Sequence, residues 1–519
     1  MNALAYVSLP EQAYDQAREN FEQMVGYLDS VEASSMSHSE LERELEKKGR
    51  ELMRLLLQEH LDNRGPGQSK EPVVGADGQE RTRRRTQERD LETIFGPVRV
   101  ERTGYGYPGA RSLHPLDAEL NLPDERYSLE LRRRAAEEAA KSSYDETVES
   151  IAKRTGANIG KRQVEELVQR AACDFDAFYR LREQEAAGDQ PGGAILALSV
   201  DGKGVTMRAE HLREKTRKAA EARRHKMGKR LSKGEKKNAK RMATVAAVYT
   251  IAPFVREPEQ IVDESNAALA RAPRPRPEAK RVWASLEKEP AEVIKQAFNE
   301  ARKRDPTAQK TWVALVDGDN NQIRRLRRMA RKTGVELTII CDVVHVIEYL
   351  WAAGRAFYPE SGPELEGWVR HRLLGILQGK AGLIAGGMRR SATRRALDDK
   401  ARKPVDKCAT YLLNHAPYLH YDRYLAAGMP IATGVIEGAC RHLVKDRMEI
   451  TGARWSLPGA EAVLRLRALR SSGDFDEYWA FHEACEYRRT HPSRYAGGHV
   501  PPTDSSRSSH KSPNLKRVK

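Results

Sequence analysis

The sequence predicts an α/β protein: a mixed-sheet core, a helical insertion within that core, and a mainly helical N-terminal region. Three observations carry the prediction. Short apolar runs at 194–200, 242–251 and 313–316, and in VELTIICD, have the length and β-branched content of buried strands. Helical patterns at 290–304 and in NQIRRLRRMARKT alternate with them, and a core with its first strands antiparallel is the economical assembly. The stretch from 346 to about 429 is helical in pattern, broken at Pro359, Gly362 and Pro363, and too long for a loop.

Taken in order, residues 11–62 read as two helices. The second opens on a capping box, Ser39 with Glu42, and carries Leu41, Leu45, Leu52, Leu55 and Leu56 on one face. That stripe needs a partner, either within the chain or in a coiled-coil dimer. Residues 63–88 turn Gly-rich and then basic (RTRRRTQER), the composition of a linker or solvated face. GPGQSK lacks the Gly-Lys-Ser/Thr ending of a phosphate loop. LETIFGPVRVERTGY alternates apolar and polar residues about Gly96-Pro97, as in a hairpin. YDETVESIAKRTGANIGKRQVEELVQRAA holds two short helices separated by Thr155-Gly156-Ala157-Asn158. As a helix-turn-helix, it would offer Lys161, Arg162 and Gln163 to a DNA major groove; an ordinary helical hairpin has the same pattern.

Between Arg208 and Arg241 stand 15 Lys/Arg against 4 Asp/Glu, with few large apolar residues. Such a segment builds no core, and reads either as a solvated charged helix or loop or as a DNA-contacting insertion. APRPRPEAKR, from Ala272, reads as a stiff linker before the 290–304 helix. The boundaries are 1–88 for the helical region and basic linker, and 89–185 for the hairpin and helix-turn-helix region. The core is split into 190–345 and 431–487 by the 346–430 insertion, and a disordered basic tail occupies 488–519.

Composition narrows the function. The 519 residues carry a formal charge of +16 and a pI near 9.5, which favours polyanionic partners. No apolar run reaches the roughly 18 residues of a membrane span, and MNALAYVSLPEQAYDQ lacks the basic start and apolar stretch of a secretory signal; a cytoplasmic location is expected. Five scattered cysteines, never spaced as CxxC, read as reduced and mostly buried thiols.

Three acidic residues stand in Gly-bearing motifs: Asp201 in ALSVDGKG, Asp317 in ALVDGDNN and Glu437 in GVIEGACRH. Taken singly, each Asp-Gly pair reads as a turn. As a set, with Asp201 and Asp317 expected at strand ends, they form the pattern of a metal-dependent nuclease. Clustered carboxylates repel unless a hard cation such as Mg²⁺ or Mn²⁺, usually a pair about 4 Å apart, neutralises them. CDVVHV adds Asp342 and His345, three apart at a helix start, with a histidine buried against the sheet as the plain alternative.

These blocks resemble bacterial insertion-sequence transposases with a ribonuclease H-like DDE core, in the Mutator-like superfamily and most closely the ISKra type. The resemblance covers about residues 90–480. Its most specific part is GVIEGACRHLVKDRMEITGARWS with the following AVLRLRALR; ALSVDGKGV and VALVDGDNNQI match the first two acid blocks, and DVVH matches the (C/D)xxH motif. Where relatives often carry a CxxC pair, this chain has YGYPGARSLHPLD, a departure that removes the ground for carrying over a zinc-stabilised DNA-binding subdomain and leaves the catalytic core untouched. It implies a ribonuclease H-like fold and DNA transposition by a catalytic, metal-binding triad of Asp201, Asp317 and Glu437. Asp342 is the rival second ligand, and Asp319 and His345 are supporting neighbours. Arg441, His442, Lys445 and Arg447 follow Glu437, with Arg441 and Lys445 favoured for DNA contact by helical spacing. The implied partners are double-stranded DNA, as element ends and target, and further copies of the chain at the synapse, in a bacterial, nucleoid-associated setting without a membrane. A ribonuclease H-like nuclease without strand transfer would use the same acids. A non-catalytic DNA-binding relative would keep the basic surfaces, and a helix-turn-helix regulator would bind DNA without metal.

Overall fold

The computed structural model describes residues 14–184, 193–222, 239–262 and 274–504. Within them the chain is mixed α/β, in two compact units: residues 1–174 with 476–519, and residues 175–475. No helix among the described residues is long and apolar enough to cross a membrane.

The first unit opens on three helices rather than two: α1 (Asp15–Leu28), α2 (Val31–Ser35) and α3 (His38–Arg64). The capping box that starts α3 is Ser37 with Glu40, two residues before the expected pair. Half-buried Leu57 and Leu61 of α3 pack on Leu91, Val98 and Val100, so this helix finds a partner within the chain. After β1 (Gln68–Ser69), a long hairpin of β2 (Arg83–Thr93) and β3 (Gly96–Tyr107) is extended by β4 (Ala110–Leu113) into a three-stranded sheet. RTRRRTQER is thus mostly strand, not linker. Arg81 is buried and paired with Asp77, but Arg83–Thr86 lie exposed on the sheet edge, where charge is tolerated and the apolar signal of a strand is lost until Leu91.

After a short α4 (Pro115–Glu119) come α5 (Leu129–Ala139), α6 (Tyr144–Arg154) and α7 (Lys161–Ala171). The turn between α6 and α7 is clamped to the hairpin: the Gly156 amide donates to the Ile94 carbonyl at 3.0 Å. A Cβ on Gly156 would lie 2.2 Å from the Phe95 carbonyl oxygen, so the turn requires glycine for close approach. Arg132 is fully buried, paired with Glu125 and Glu486, and donates to His482 at 3.0 Å. Residues 488–504, expected as disordered, are ordered: the C-terminal helix runs Phe475–Thr490, and Thr503–Asp504 pairs antiparallel with β1. Residues 505–519 lie outside the described residues.

The second unit begins with α8 (Phe175–Gln184) and is built on a five-stranded mixed sheet of β5 (Ile195–Thr206), β6 (Lys240–Ile251), β7 (Glu278–Ser285), β8 (Thr311–Val316) and β9 (Leu337–Cys341), in the order β7-β6-β5-β8-β9. β5 and β6 pair antiparallel, as do β6 and β7; β5, β8 and β9 run parallel. β7 was not expected. Its approach is charged and it carries Arg281, which is buried against the rings of Tyr179 and Trp283 and paired with Glu300, so the strand lacks a clean apolar run. Of the predicted 208–241 insertion the structure describes α9 (Glu214–Glu221); residues 223–238 lie outside the described residues, as do Ala272 and Pro273 of the predicted stiff linker.

Following the short α10 (Pro258–Val262), the helix expected at 290–304 is α11 (Pro290–Arg304), and NQIRRLRRMARKT falls in α12 (Asn320–Thr333). The predicted helical insertion is α13 (Val343–Gly354), α14 (Pro363–Leu377), α15 (Ala381–Arg394), α16 (Asp399–Asn414) and α17 (Tyr421–Ala426). The chain returns to the sheet through α18 (Gly434–Ala439), which continues as a π-helical turn over Cys440–Lys445, and, after the single turn α19 (Asp446–Met448), through α20 (Leu457–Ser472). α20 packs on β7, and its buried Glu461 accepts hydrogen bonds from Ser285 Oγ and the Leu286 amide, both at 2.7 Å.

Candidate metal centre

The parallel strands set the site. β5 and β8 are in register at Ser199 and Leu315, and β8 and β9 at Val316 and Cys341. Continued by one or two residues, that register places Asp201, Asp317 and Asp342 side by side, at the point where β8 and β9 end and burial of β5 gives out. Asp201 differs from expectation in one respect: VDGKG is not a turn, because β5 runs on antiparallel to β6 as far as Thr206. Burial nonetheless ends at Val200, and the Asp201 side chain is half-buried.

Each acid is held by a different local device. Asp317 Oδ1 accepts from the Asp319 amide at 2.9 Å, and its carbonyl accepts from Tyr411 Oη at 3.0 Å. Gly318 has φ 101° and its carbonyl oxygen is 2.8 Å from His415 Nε2; a Cβ there would meet the Tyr411 ring, so the loop after Asp317 is closed by α16. Asp319 caps α12, accepting from the amides of Asn321 at 2.6 Å and Gln322 at 3.0 Å. Its Oδ1 is therefore committed to the helix terminus, where negative charge is favourable. Gln322 in turn donates to the Val200 carbonyl beside Asp201.

Asp342 is fully buried and caps α13 through the Val344 amide at 2.9 Å; its other oxygen accepts from Thr433 Oγ1, which also lies 3.4 Å from Glu437 Oε1. At the other end of the same helical segment, Cys440 Sγ donates to Asp201 Oδ2 at 3.2 Å. Burial pushes the Cys440 thiol up, with the Asp201 charge adding to the effect, so it acts as a donor, not a thiolate. The segment carrying Glu437 thus spans the strand ends, tied to Asp342 at one side and Asp201 at the other.

Asp342, His345 and Glu437 bring one ligand atom each within 4.8 Å of one another. Neither Asp201 nor Asp317 belongs to that group, so the closest triad differs from the expected Asp201, Asp317 and Glu437, and includes the residue named as its rival. His345 is half-exposed, not buried against the sheet, with Nδ1 3.1 Å from Glu348. Two carboxylates and one imidazole suit Mn²⁺ well and Mg²⁺ when further oxygen donors join, and Asp201 and Asp317 are the adjacent carboxylates on the strand row. A second grouping, Cys173, Asp174 and His482, is a poor metal seat. The His482 ring is engaged on both sides, by Arg132 at 3.0 Å and Asp174 at 2.8 Å.

Among the predicted DNA contacts, Lys161, Arg162 and Gln163 are all exposed on the first turn of α7, with Lys161 paired to Asp145 at 2.8 Å and Arg162 to Glu166 at 3.2 Å. Arg441, His442 and Lys445 are exposed; Arg441 and His442 face Asp446 at 3.6 and 3.4 Å. Arg447 is not available to DNA: it is buried, its guanidinium 4.9 Å from the Trp455 ring. The α-helical spacing that favoured Arg441 and Lys445 does not carry across the π-helical turn, whose i→i+5 bonding shifts which residues share a face.

No protein-family model and no curated protein matches the chain.

Proposed function

We propose that this protein is a DNA transposase of the insertion-sequence ISKra type, which binds element ends and carries out metal-dependent strand cleavage and strand transfer on a ribonuclease H-like core. The observation that carries the reading is the placement of Asp201, Asp317 and Asp342 on or directly after three adjacent parallel strands, spanned by the helical segment that carries Glu437. The sheet supports it: two antiparallel pairings followed by two parallel ones, in the order β7-β6-β5-β8-β9, is what a ribonuclease H-like core requires. The charge of +16 supports a nucleic-acid partner.

On this reading Asp342, Glu437 and His345 hold one divalent cation, and Asp201 and Asp317 complete the carboxylate set for a second. Bound there, Mg²⁺ or Mn²⁺ would lower the pKa of an attacking hydroxyl and stabilise the leaving oxygen. The chain's own contribution is positioning. Thr433 fixes Asp342 relative to Glu437, Cys440 fixes Asp201, and Tyr411 and His415 hold the Asp317 loop; lysines and arginines away from the acids supply DNA affinity. Nicking of supercoiled plasmid in Mg²⁺ tests the nuclease half of the proposal. Nicking should be abolished by EDTA and by Asp201→Ala, Asp317→Ala or Glu437→Ala while filter binding of the same DNA persists; metal-independent or undiminished nicking in these variants would refute it.

A further inference from the structure

Beside the metal centre lies an open groove of about 530 Å³, walled on one side by His345, Glu348, Tyr349 and Ala352 of α13 and on the other by Lys400, Lys403, Pro404 and Lys407 of α16. His345, one of its lining residues, is also a member of the acidic group. The three lysines recur at i, i+3 and i+7, so they line one face of α16, and all are exposed. None makes an ion pair among the described residues, although the chain pairs much of its surface charge. The opposite wall is aromatic: Tyr349 stacks on Tyr411 at 4.3 Å and 24°, and Lys407 Nζ lies 5.2 Å from the Tyr349 centroid. Glu348 is the one acid of the groove, and it faces His345.

A row of unpaired ammonium groups opposite a half-exposed aromatic ring is the pairing of features that holds unpaired nucleotides, with phosphates on the cations and a base against the ring. The volume lies in the range of sites that enclose a small organic ligand, about 300–1,000 Å³. We infer that this groove binds a short single-stranded stretch of DNA leading to the metal centre, with Lys400, Lys403 and Lys407 on its phosphates and Tyr349 under a base. The inference rests on the nuclease reading for its purpose but not for its test.

The test is fluorescence anisotropy of the full chain with a labelled dT12 strand and with a 12-base-pair duplex, in EDTA and across a salt series. Wild type is compared with Lys400→Gln/Lys403→Gln/Lys407→Gln and with the corresponding triple arginine variant. The glutamine triple should bind dT12 about tenfold more weakly at 0.1 M salt, and its salt slope should be smaller by about 2, at roughly 0.7 per lost phosphate contact. The arginine triple should bind like wild type, and the duplex should be affected less. An iodouracil-substituted dT12 should crosslink to the peptide containing Tyr349. Unchanged dT12 affinity in the glutamine triple, an equal loss on duplex, or crosslinks confined to other peptides would overturn the inference. Plasmid nicking by wild type is scored separately, so loss of this groove and loss of the nuclease reading are distinguishable results.

Discussion

If Asp342 and Glu437 seat a divalent cation, the metal should stabilise the unit that contains them, and removing one charge should erase the effect. A ligand at a hundredfold excess over its Kd adds about 2.7 kcal/mol to the folded state. The unit spans Phe175–Phe475, roughly 300 residues, and at about 2.1 cal/mol/K per residue its unfolding entropy near 60 °C is ~0.6 kcal/mol/K, so Tm should rise by ~4 °C. Differential scanning calorimetry with and without millimolar Mn²⁺ reads this shift. Asp342→Asn keeps the side-chain shape and can retain the cap to Val344, but it lowers the ligand charge, and the shift should fall below about 1 °C. Asp319→Asn is the internal control: Asp319 caps α12 and stands outside the Asp342, His345 and Glu437 group, so the metal shift should survive even if the baseline Tm drops. An equal shift in Asp342→Asn, or none in wild type, would refute the assignment of the centre to Asp342, His345 and Glu437.

Other consequences follow from buried charge and close approach. Burial would raise the Glu300 carboxyl, but the guanidinium groups of Arg281 and Arg304 outweigh it and hold the group at about 2. Its contribution is therefore present above the usual carboxylate value near 4.5 and lost as pH falls towards 2, and Glu300→Gln, which strands two buried arginines, should cost about 3–5 kcal/mol in urea unfolding; a loss under about 1 kcal/mol would contradict the pairing. His491 of the first unit is pushed down to about 4, first by burial and then by Arg494, and is 4% exposed. The neutral ring should contribute full stability above about pH 6.5, and stability should fall by up to about 3 kcal/mol towards pH 4, a slope that His491→Gln should flatten in pH-dependent unfolding. Gly156→Ala should destabilise the first unit by about 1–3 kcal/mol, because its Cβ would collide with the Phe95 carbonyl oxygen; unchanged thermal unfolding would show that the turn has room.

What was legible in the sequence was what the backbone pattern alone determines. β8 and β9 are read from apolar runs that stop at Asp317 and Asp342, and α11 from its helical pattern. β7 escaped because its first half, Glu278–Arg281, is mostly charged, and a buried Arg281 is intelligible only with Glu300 and two rings around it. The hairpin itself was legible from Leu91 on, but the first part of β2, Arg83–Asp90, escaped because an edge strand can be basic along its exposed half. At the site, Asp342 and His345 were visible as a helix-start pair, but that they lie closest to Glu437 depends on how α18 returns after the intervening helices, which no local pattern fixes. Thr433 and Cys440 gave no signal at all. Both are ordinary neutral residues whose roles arise from tertiary approach to Asp342 and Asp201, and the π-helical turn after Glu437 left no trace in the pattern either.

The most direct test of the central claim is cleavage and joining of a labelled duplex carrying the element's own ends, in Mg²⁺, by wild type and by Asp201→Ala, Asp317→Ala, Asp342→Ala and Glu437→Ala. The account predicts that wild type cuts at the repeat end and joins the freed 3′ end to a second duplex, and that both activities vanish in all four variants while end binding persists. Cutting without joining, or end binding with no cutting by wild type, would contradict it.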